Sequence, residues 1–254
     1  MAEFVSVDGV RLEYAWHGPP PADAPTLVFL HEGLGSISQW RKFPAELCSR
    51  VACGALVYSR CGHGRSDALT APHGIRFMHD EGTAVLPQLL DVFEIRRPIL
   101  VGHSDGASIA LIHAGSGGDP FAMILEAPHV FVEEVTVTRI AELRELYRTT
   151  DLRTRLARHH SNVDALFQYW TDVWLRPEFR RWNIEAYLAE VQCPTLVLQG
   201  KQDEYGTGRQ VDTIITALGG RCEGIMLDRC GHAPHVDQRA AVLEIMARFI
   251  RGLE

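Results

Sequence analysis

Four short runs of the chain hold almost nothing but apolar residues: Thr26–Leu30 (TLVFL), 55–58 (ALVY), 98–101 (PILV) and 195–198 (TLVL). A strand with one wet face alternates polar and apolar side chains. A run without that alternation must be covered on both faces, as strands of a parallel sheet are. Residues 123–125 (MIL) and 225–227 (IML) repeat the pattern more weakly. Helical spacing fills the gaps between runs. Val85, Leu89, Val92 and Phe93 share one helix face, with Pro87 placed to kink it. Ala240, Leu243, Ala247 and Ile250 mark a terminal amphipathic helix. Ahead of the first run, residues 4–16 alternate around Asp8-Gly9, the signature of a hairpin with a tight turn. Strands alternating with helices predict an α/β chain with a mostly parallel, doubly wound sheet.

Composition narrows the classes. The 254 residues are 46% hydrophobic and 22% charged, which is ordinary globular usage. The formal net charge is −7 and no Lys/Arg-rich run appears, so no nucleic-acid or anionic membrane surface is expected. No apolar stretch reaches the roughly 18 residues of a membrane span. Met1-Ala2-Glu3-Phe4 shows neither a basic nor an apolar leader segment, so a signal peptide is not expected. Cys48, Cys53, Cys61, Cys193, Cys222 and Cys230 form no CxxC pair and read as reduced thiols of a cytoplasmic protein. Their spacing gives a zinc site little support, and no metal is expected.

One region breaks the alternation. Residues 128–191 carry no strand signal but many helix formers and three tryptophans, Trp170, Trp174 and Trp182. Some sixty residues are too many for a plain loop. They read as a helical cap over a core made of residues 1–127 and 192–254, or else as an extra helical layer.

Gly102-His103-Ser104-Asp105-Gly106 follows the run PILV and precedes a helix-forming stretch. A Gly-x-Ser-x-Gly sequence between strand and helix makes a turn so sharp that side chains at its glycines would strike neighbouring backbone. Ser104 then projects over the sheet edge at a helix N-terminus, the placement of a nucleophile. A serine hydroxyl needs a base, and the base needs an orienting acid. His232 lies in a loop between the last strand signal and the last helix; His235 competes with it. Asp203 falls just after the run TLVL, at the strand end where open α/β sheets place functional groups, with Glu204 and Glu126 as competitors. The order serine, acid, histidine distinguishes this arrangement from the two common serine-protease folds.

His31-Glu32-Gly33-Leu34-Gly35 follows the first run. Its glycines allow a backbone N–H to bend toward Ser104. Gly33 is the expected donor with Leu34 next, and the N–H of Asp105 completes a two-donor oxyanion hole. His31 reads as a buried brace of that loop. Within Arg60-Cys61-Gly62-His63-Gly64-Arg65-Ser66-Asp67 an Arg65–Asp67 pair is expected and no chemistry.

HEGLGS, YSRCGHGRSD, GHSDG and the loops of Asp203 and His232, in this order, resemble the α/β-hydrolase superfamily over nearly the whole chain. The resemblance implies an eight-stranded, mostly parallel sheet with a helical cap between strands six and seven. It also matches Ser104 to the nucleophile, Asp203 to the acid and His232 to the base. Glu32 departs from the pattern: it stands where many members have the first glycine, which brings a carboxylate near the pocket. The serine argues against haloalkane dehalogenases, whose nucleophile is an aspartate.

The expectation is a cofactor-independent serine hydrolase acting on a small carboxylic ester or lactone. Glu32, His103, Trp170 and Trp174 are the candidate substrate-binding residues. Three alternatives stand beside it. A carbon–carbon hydrolase of the meta-cleavage type would want a basic group such as Arg139, Arg144 or Arg176. An N-terminal-residue peptidase would want an acidic pocket from Glu32, Glu133 or Glu134. The last is a non-catalytic ligand receptor. The expected partner is a small molecule; an oligomer stays open.

Overall fold

A computed structural model describes residues 3–21 and 25–253. The leader reading therefore rests partly on Met1 and Ala2, which lie outside the described residues. Eight strands form one sheet: β1 (Glu3–Val7), β2 (Val10–His17), β3 (Thr26–Leu30), β4 (Gly54–Tyr58), β5 (Pro98–His103), β6 (Ala122–Glu126), β7 (Thr195–Gly200) and β8 (Cys222–Leu227). Their order is β1-β2-β4-β3-β5-β6-β7-β8. β1 and β2 pair antiparallel, β2 joins β4 antiparallel, and all other pairs are parallel. The expected α/β fold with a mostly parallel eight-stranded sheet is present. At the hairpin, Asp8 and Gly9 both adopt positive φ (50° and 78°), the geometry a tight two-residue turn requires.

The apolar runs are buried because both faces are covered. Leu27, Phe29, Val57, Ile99 and Leu196 turn toward the helices Phe43–Val51 and Arg239–Arg251. Val28, Leu30, Leu56, Leu100 and Val197 turn the other way, toward Leu86–Val92, Asp105–Gly115 and Gly208–Leu218. All of β3 is buried. Truncating one of its large side chains to alanine costs about 2–5 kcal/mol through lost transfer energy and the cavity left behind.

Two expectations need correction. Before β5, Val92 is not buried, and Val85 is only partly so and lies ahead of the helix. A π-turn at Glu81–Val85 precedes the Leu86–Val92 helix, whose buried residues are Leu86, Leu89 and Leu90, while Val92 is exposed. The inner face is fixed by the aromatic edge of the hairpin, where Tyr14 meets Phe93 at 4.8 Å. In the terminal helix Ala240 is exposed, and Val242, Leu243, Met246, Ala247 and Ile250 face inward.

Residues 128–191 contain the helices Glu134–Thr149, Leu152–Leu156, Val163–Trp174 and Glu185–Leu188. Among the described residues their only strand-like pairing is the bridge Phe131–Asn183. Trp174, Phe179 and Trp182 pack as one aromatic group, with Trp174 edge-on to Phe179 at 4.9 Å and Phe179 stacked on Trp182 at 5.6 Å. The group continues the core on the Asp105–Gly115 side of the sheet.

Candidate active site

β5 ends at His103, and the chain turns at once into the Asp105–Gly115 helix. Ser104 sits in that turn at φ 53° and ψ −117°, a strained region for a residue with a side chain. The flanking glycines explain how the turn closes. A Cβ on Gly102 would lie 2.5 Å from the Gly106 carbonyl oxygen, and one on Gly106 would overlap the backbone of Leu30. The Ser104 N–H is held by the Glu126 carbonyl at 2.9 Å.

The loops after β7 and β8 meet this turn. Ser104 Oγ lies 2.9 Å from His232 Nε2. His232 Nδ1 lies 2.9 Å and 3.0 Å from the two Asp203 oxygens, so Nδ1 carries the proton and Nε2 is left to accept from the serine. The Asp203 carboxylate also accepts the Tyr205 N–H at 2.8 Å and the Gln199 side chain at 3.2 Å. Burial opposes its charge, but the His232 contact and the Tyr205 N–H hold Asp203 below the usual carboxylate range. Burial likewise opposes an imidazolium at His232. Asp203, then Glu204 and Glu32, outweigh it and raise His232 above its ordinary value. The close approach of the two loops depends on Gly200, where a Cβ would overlap the Cys230 and Gly231 carbonyls.

The competing residues pair elsewhere. His235 Nδ1 lies 2.5 Å from Glu126 Oε2, both side chains being buried, and the His235 ring packs on Trp40 at 4.5 Å. His103 Nε2 donates to the His232 carbonyl at 2.7 Å, so it braces the His232 loop.

The 31–35 loop is held from beneath by residues to which the sequence assigned no chemistry. The Arg60 guanidinium donates to the His31 carbonyl at 2.5 Å and the Glu32 carbonyl at 3.1 Å. His160 accepts from the Gly64 N–H through Nδ1, so its Nε2 donates to the Leu34 carbonyl at 2.9 Å. A peptide is planar and trans, so fixing the Glu32 carbonyl on Arg60 aims the Gly33 N–H the opposite way. Among the described residues neither the Gly33 nor the Asp105 N–H donates to a protein acceptor. The Leu34 N–H does: it is taken by Glu32 Oε2 at 2.5 Å, which removes it as a free donor. His31 braces the loop, accepting from the Arg60 N–H at 3.0 Å. The expected Arg65–Asp67 pair is not formed. Asp67 instead accepts from the Arg11 backbone and guanidinium, because β2 brings Arg11 alongside it.

Ser104 opens into a cavity of about 250 Å³ walled mainly by Ile140, Leu143, Leu156, Trp170, Trp174 and Tyr205. Glu32, His103 and Ala233 are shared with a second, more polar cavity of about 280 Å³ that reaches Gln39, Arg41 and His159. Two carboxyls, those of Glu32 and Asp105, lie in the segments that carry the two free N–H groups. Burial raises the pKa of both Glu32 and Asp105; Asp105 adds to the rise at Glu32, and Arg60 tempers both. None of Arg139, Arg144 and Arg176 lines the Ser104 cavity. Arg144 is paired with Asp172 on another groove. Glu133 is engaged by Thr207 and Gln210, and Glu134 by Arg180.

Residues 27–245 match the family model described as the alpha/beta hydrolase family. The chain belongs to the alpha/beta hydrolase family. The hydrolase is 28% identical over 246 residues to a putative carbamate hydrolase, RutD, of Pseudomonas savastanoi pv. phaseolicola (strain 1448A / Race 6), across 85% of this chain and 89% of that protein. It is 27% identical over 175 residues to the sn-1-specific diacylglycerol lipase ABHD11 of Danio rerio. That match covers 69% of this chain and 46% of the lipase, so it spans about half of that relative's length. In fold it resembles the enol-lactonase of Burkholderia xenovorans LB400, with TM-score 0.76 and 21% identity over 98% of this chain and 100% of that one. Among the described residues of the hydrolase no helix is long and apolar enough to cross a membrane.

Proposed function

We propose that this alpha/beta hydrolase cleaves small carboxylic esters or lactones through an acyl-enzyme on Ser104. The hydrogen-bonded chain Ser104–His232–Asp203, opening on an apolar cavity, carries the reading. His232 Nε2 takes the hydroxyl proton as Ser104 attacks the carbonyl carbon. Asp203 holds the tautomer and offsets the imidazolium charge. The N–H groups of Gly33 and Asp105 receive the developing oxyanion, each such donor being worth roughly 10²–10³ in rate. His232 then protonates the leaving oxygen, and water repeats the sequence on the acyl group. A cavity of about 250 Å³ falls below the roughly 300–1,000 Å³ of ordinary ligand clefts, which favours a small acyl group. Residues 128–191 act in this reading as a cap whose helices supply the apolar wall, with Trp170 and Trp174 against the acyl group and residues 1–127 and 192–254 as the core. Glu32 and His103 face the leaving group.

The absence of any cation among the cavity's lining residues weighs against a meta-cleavage substrate, whose carboxylate would need one. The Glu32 carboxyl in the same wall favours a second reading, an acyl substrate carrying an ammonium or N–H group, as in N-terminal peptidase chemistry. A hydrolysis screen of p-nitrophenyl acetate, lactones and aminoacyl p-nitroanilides separates the two. Covalent labelling by a fluorophosphonate with turnover separates either from a ligand receptor. Full p-nitrophenyl acetate activity in Ser104→Ala would sink the proposal.

A further inference from the structure

One side chain touches both segments that supply the oxyanion donors, and it comes from neither. Trp170 Nε1 donates to Asp105 Oδ2 at 2.9 Å, with Trp170 7% and Asp105 0% exposed. The same indole lies on Gly33 so closely that a Cβ there would overlap Nε1 and Cε2. Trp170 stands on the Val163–Trp174 helix, inside residues 128–191 and outside the sheet. The second Asp105 oxygen, Oδ1, is buried without a hydrogen-bond partner, so the Trp170 indole makes the one direct hydrogen bond to that carboxyl among the described residues, with the Trp174 indole close by. Asp105 begins the helix behind Ser104, so a contact that pins its side chain also limits movement of the backbone that carries its N–H.

We propose that Trp170 is a positioning residue for the oxyanion hole. Its ring sets the separation of the Gly33 and Asp105 N–H groups, and the hole is complete only while the Val163–Trp174 helix is seated on the core. The inference rests on the acyl-transfer reading above and deepens it. The ring presses Gly33 from above while Arg60 holds the Glu32 carbonyl from beneath, so the peptide between them has no freedom to turn. An aligned donor stabilises the charged intermediate far more than it stabilises bound substrate, and a donor free to turn forfeits that difference. The effect therefore belongs in kcat rather than in KM.

The test compares Trp170→Phe, which keeps a ring but removes the N–H donor, with Asp105→Asn, which keeps an acceptor for the indole, and Asp105→Leu, which does not. The measurements are kcat and KM on p-nitrophenyl acetate, inhibition by phenylboronic acid, which forms a tetrahedral anion on the serine, and Tm. Trp170→Phe and Asp105→Leu should lose about tenfold or more in kcat, weaken boronate inhibition by a similar factor, and leave KM within about twofold. Asp105→Asn, with an acceptor for the indole retained, should lose clearly less in kcat than Asp105→Leu. Trp170→Phe and Asp105→Leu with wild-type kcat and boronate affinity, or a KM rise that accounts for the whole loss, would overturn the proposal. Ser104→Ala distinguishes the levels. If wild-type turnover does not depend on Ser104, the acyl-transfer reading falls and this proposal with it. If it does, a normal Trp170→Phe overturns the positioning role alone.

Discussion

Arg60 closes on His31 twice: its backbone N–H donates to His31 Nε2 at 3.0 Å, and its guanidinium donates to the His31 carbonyl at 2.5 Å. The two residues lie 29 positions apart. Arg60 is 4% exposed, and its charge also lowers the cost of the buried carboxyls Glu32, Glu81 and Asp105. Arg60→Met leaves those groups without their balancing cation. It should destabilise the protein by about 3–5 kcal/mol in urea unfolding, and Arg60→Lys should recover part of the loss. A stability change within about 0.5 kcal/mol would refute the electrostatic account.

In the proposed mechanism the pH dependence of kcat/KM follows from His232. The base must be neutral to accept the serine proton, and its pKa is raised, against burial, by Asp203, Glu204 and Glu32. Activity should therefore fall with decreasing pH through a midpoint above the ordinary 6.5 of histidine. Asp203→Asn removes the largest raising influence and the tautomer control. It should move that midpoint down and cut kcat by roughly 10³–10⁴. An unchanged profile in the variant would contradict the assigned pair.

Folding stability should respond to acid for a different reason. His129 and His160 are buried and neutral, with burial lowering each pKa from 6.5 to about 4. Below the unfolded value the unfolded chain binds protons that the folded chain refuses. The stability is thus complete above about pH 6.5 and is lost as pH falls toward 4, at about 1.4 kcal/mol per pH unit per group. Thermal unfolding followed from pH 7.5 to 4.5 tests this. A Tm that holds or rises across that range would be the contrary result.

Glu32 divides two cavities that together hold far more than either alone. Glu32→Gly removes the shared wall and one of the two carboxyls in the segments that carry the free N–H groups. Measured on acetate esters of alcohols of increasing length, the preferred leaving group should lengthen by several carbons. If the preferred length stays the same, Glu32 does not limit the pocket.

The fold was legible because its signals are local. An apolar run without alternation reports cover on both faces, and β3, β4, β5 and β7 are all buried as that rule requires. The Ser104 turn is legible for the same reason, since two glycines between a strand and a helix describe a backbone crossing within five residues. Helix faces were less so. The π-turn at Glu81–Val85 leaves no mark in the hydrophobic pattern.

The partnerships in the site have no local signal. Five-residue motifs name the types of group available, but two histidines and several carboxylates competed for each role. The order of β5, β6, β7 and β8 in the sheet brings Asp203 to His232 across 29 residues and Ser104 to His232 across 128, and it gives Glu126 to His235. Adjacent strand ends lie only about 5 Å apart, so the choice of neighbour is made by sheet order and loop path. The sequence by itself determined the layers, the strained serine turn and the supply of acids and bases. Only the tertiary structure decided which of them meet, that Arg60 and His160 support the Gly33 loop, and that Trp170 reaches down to Asp105. Those contacts join segments far apart along the chain, and no periodicity within either segment encodes the other.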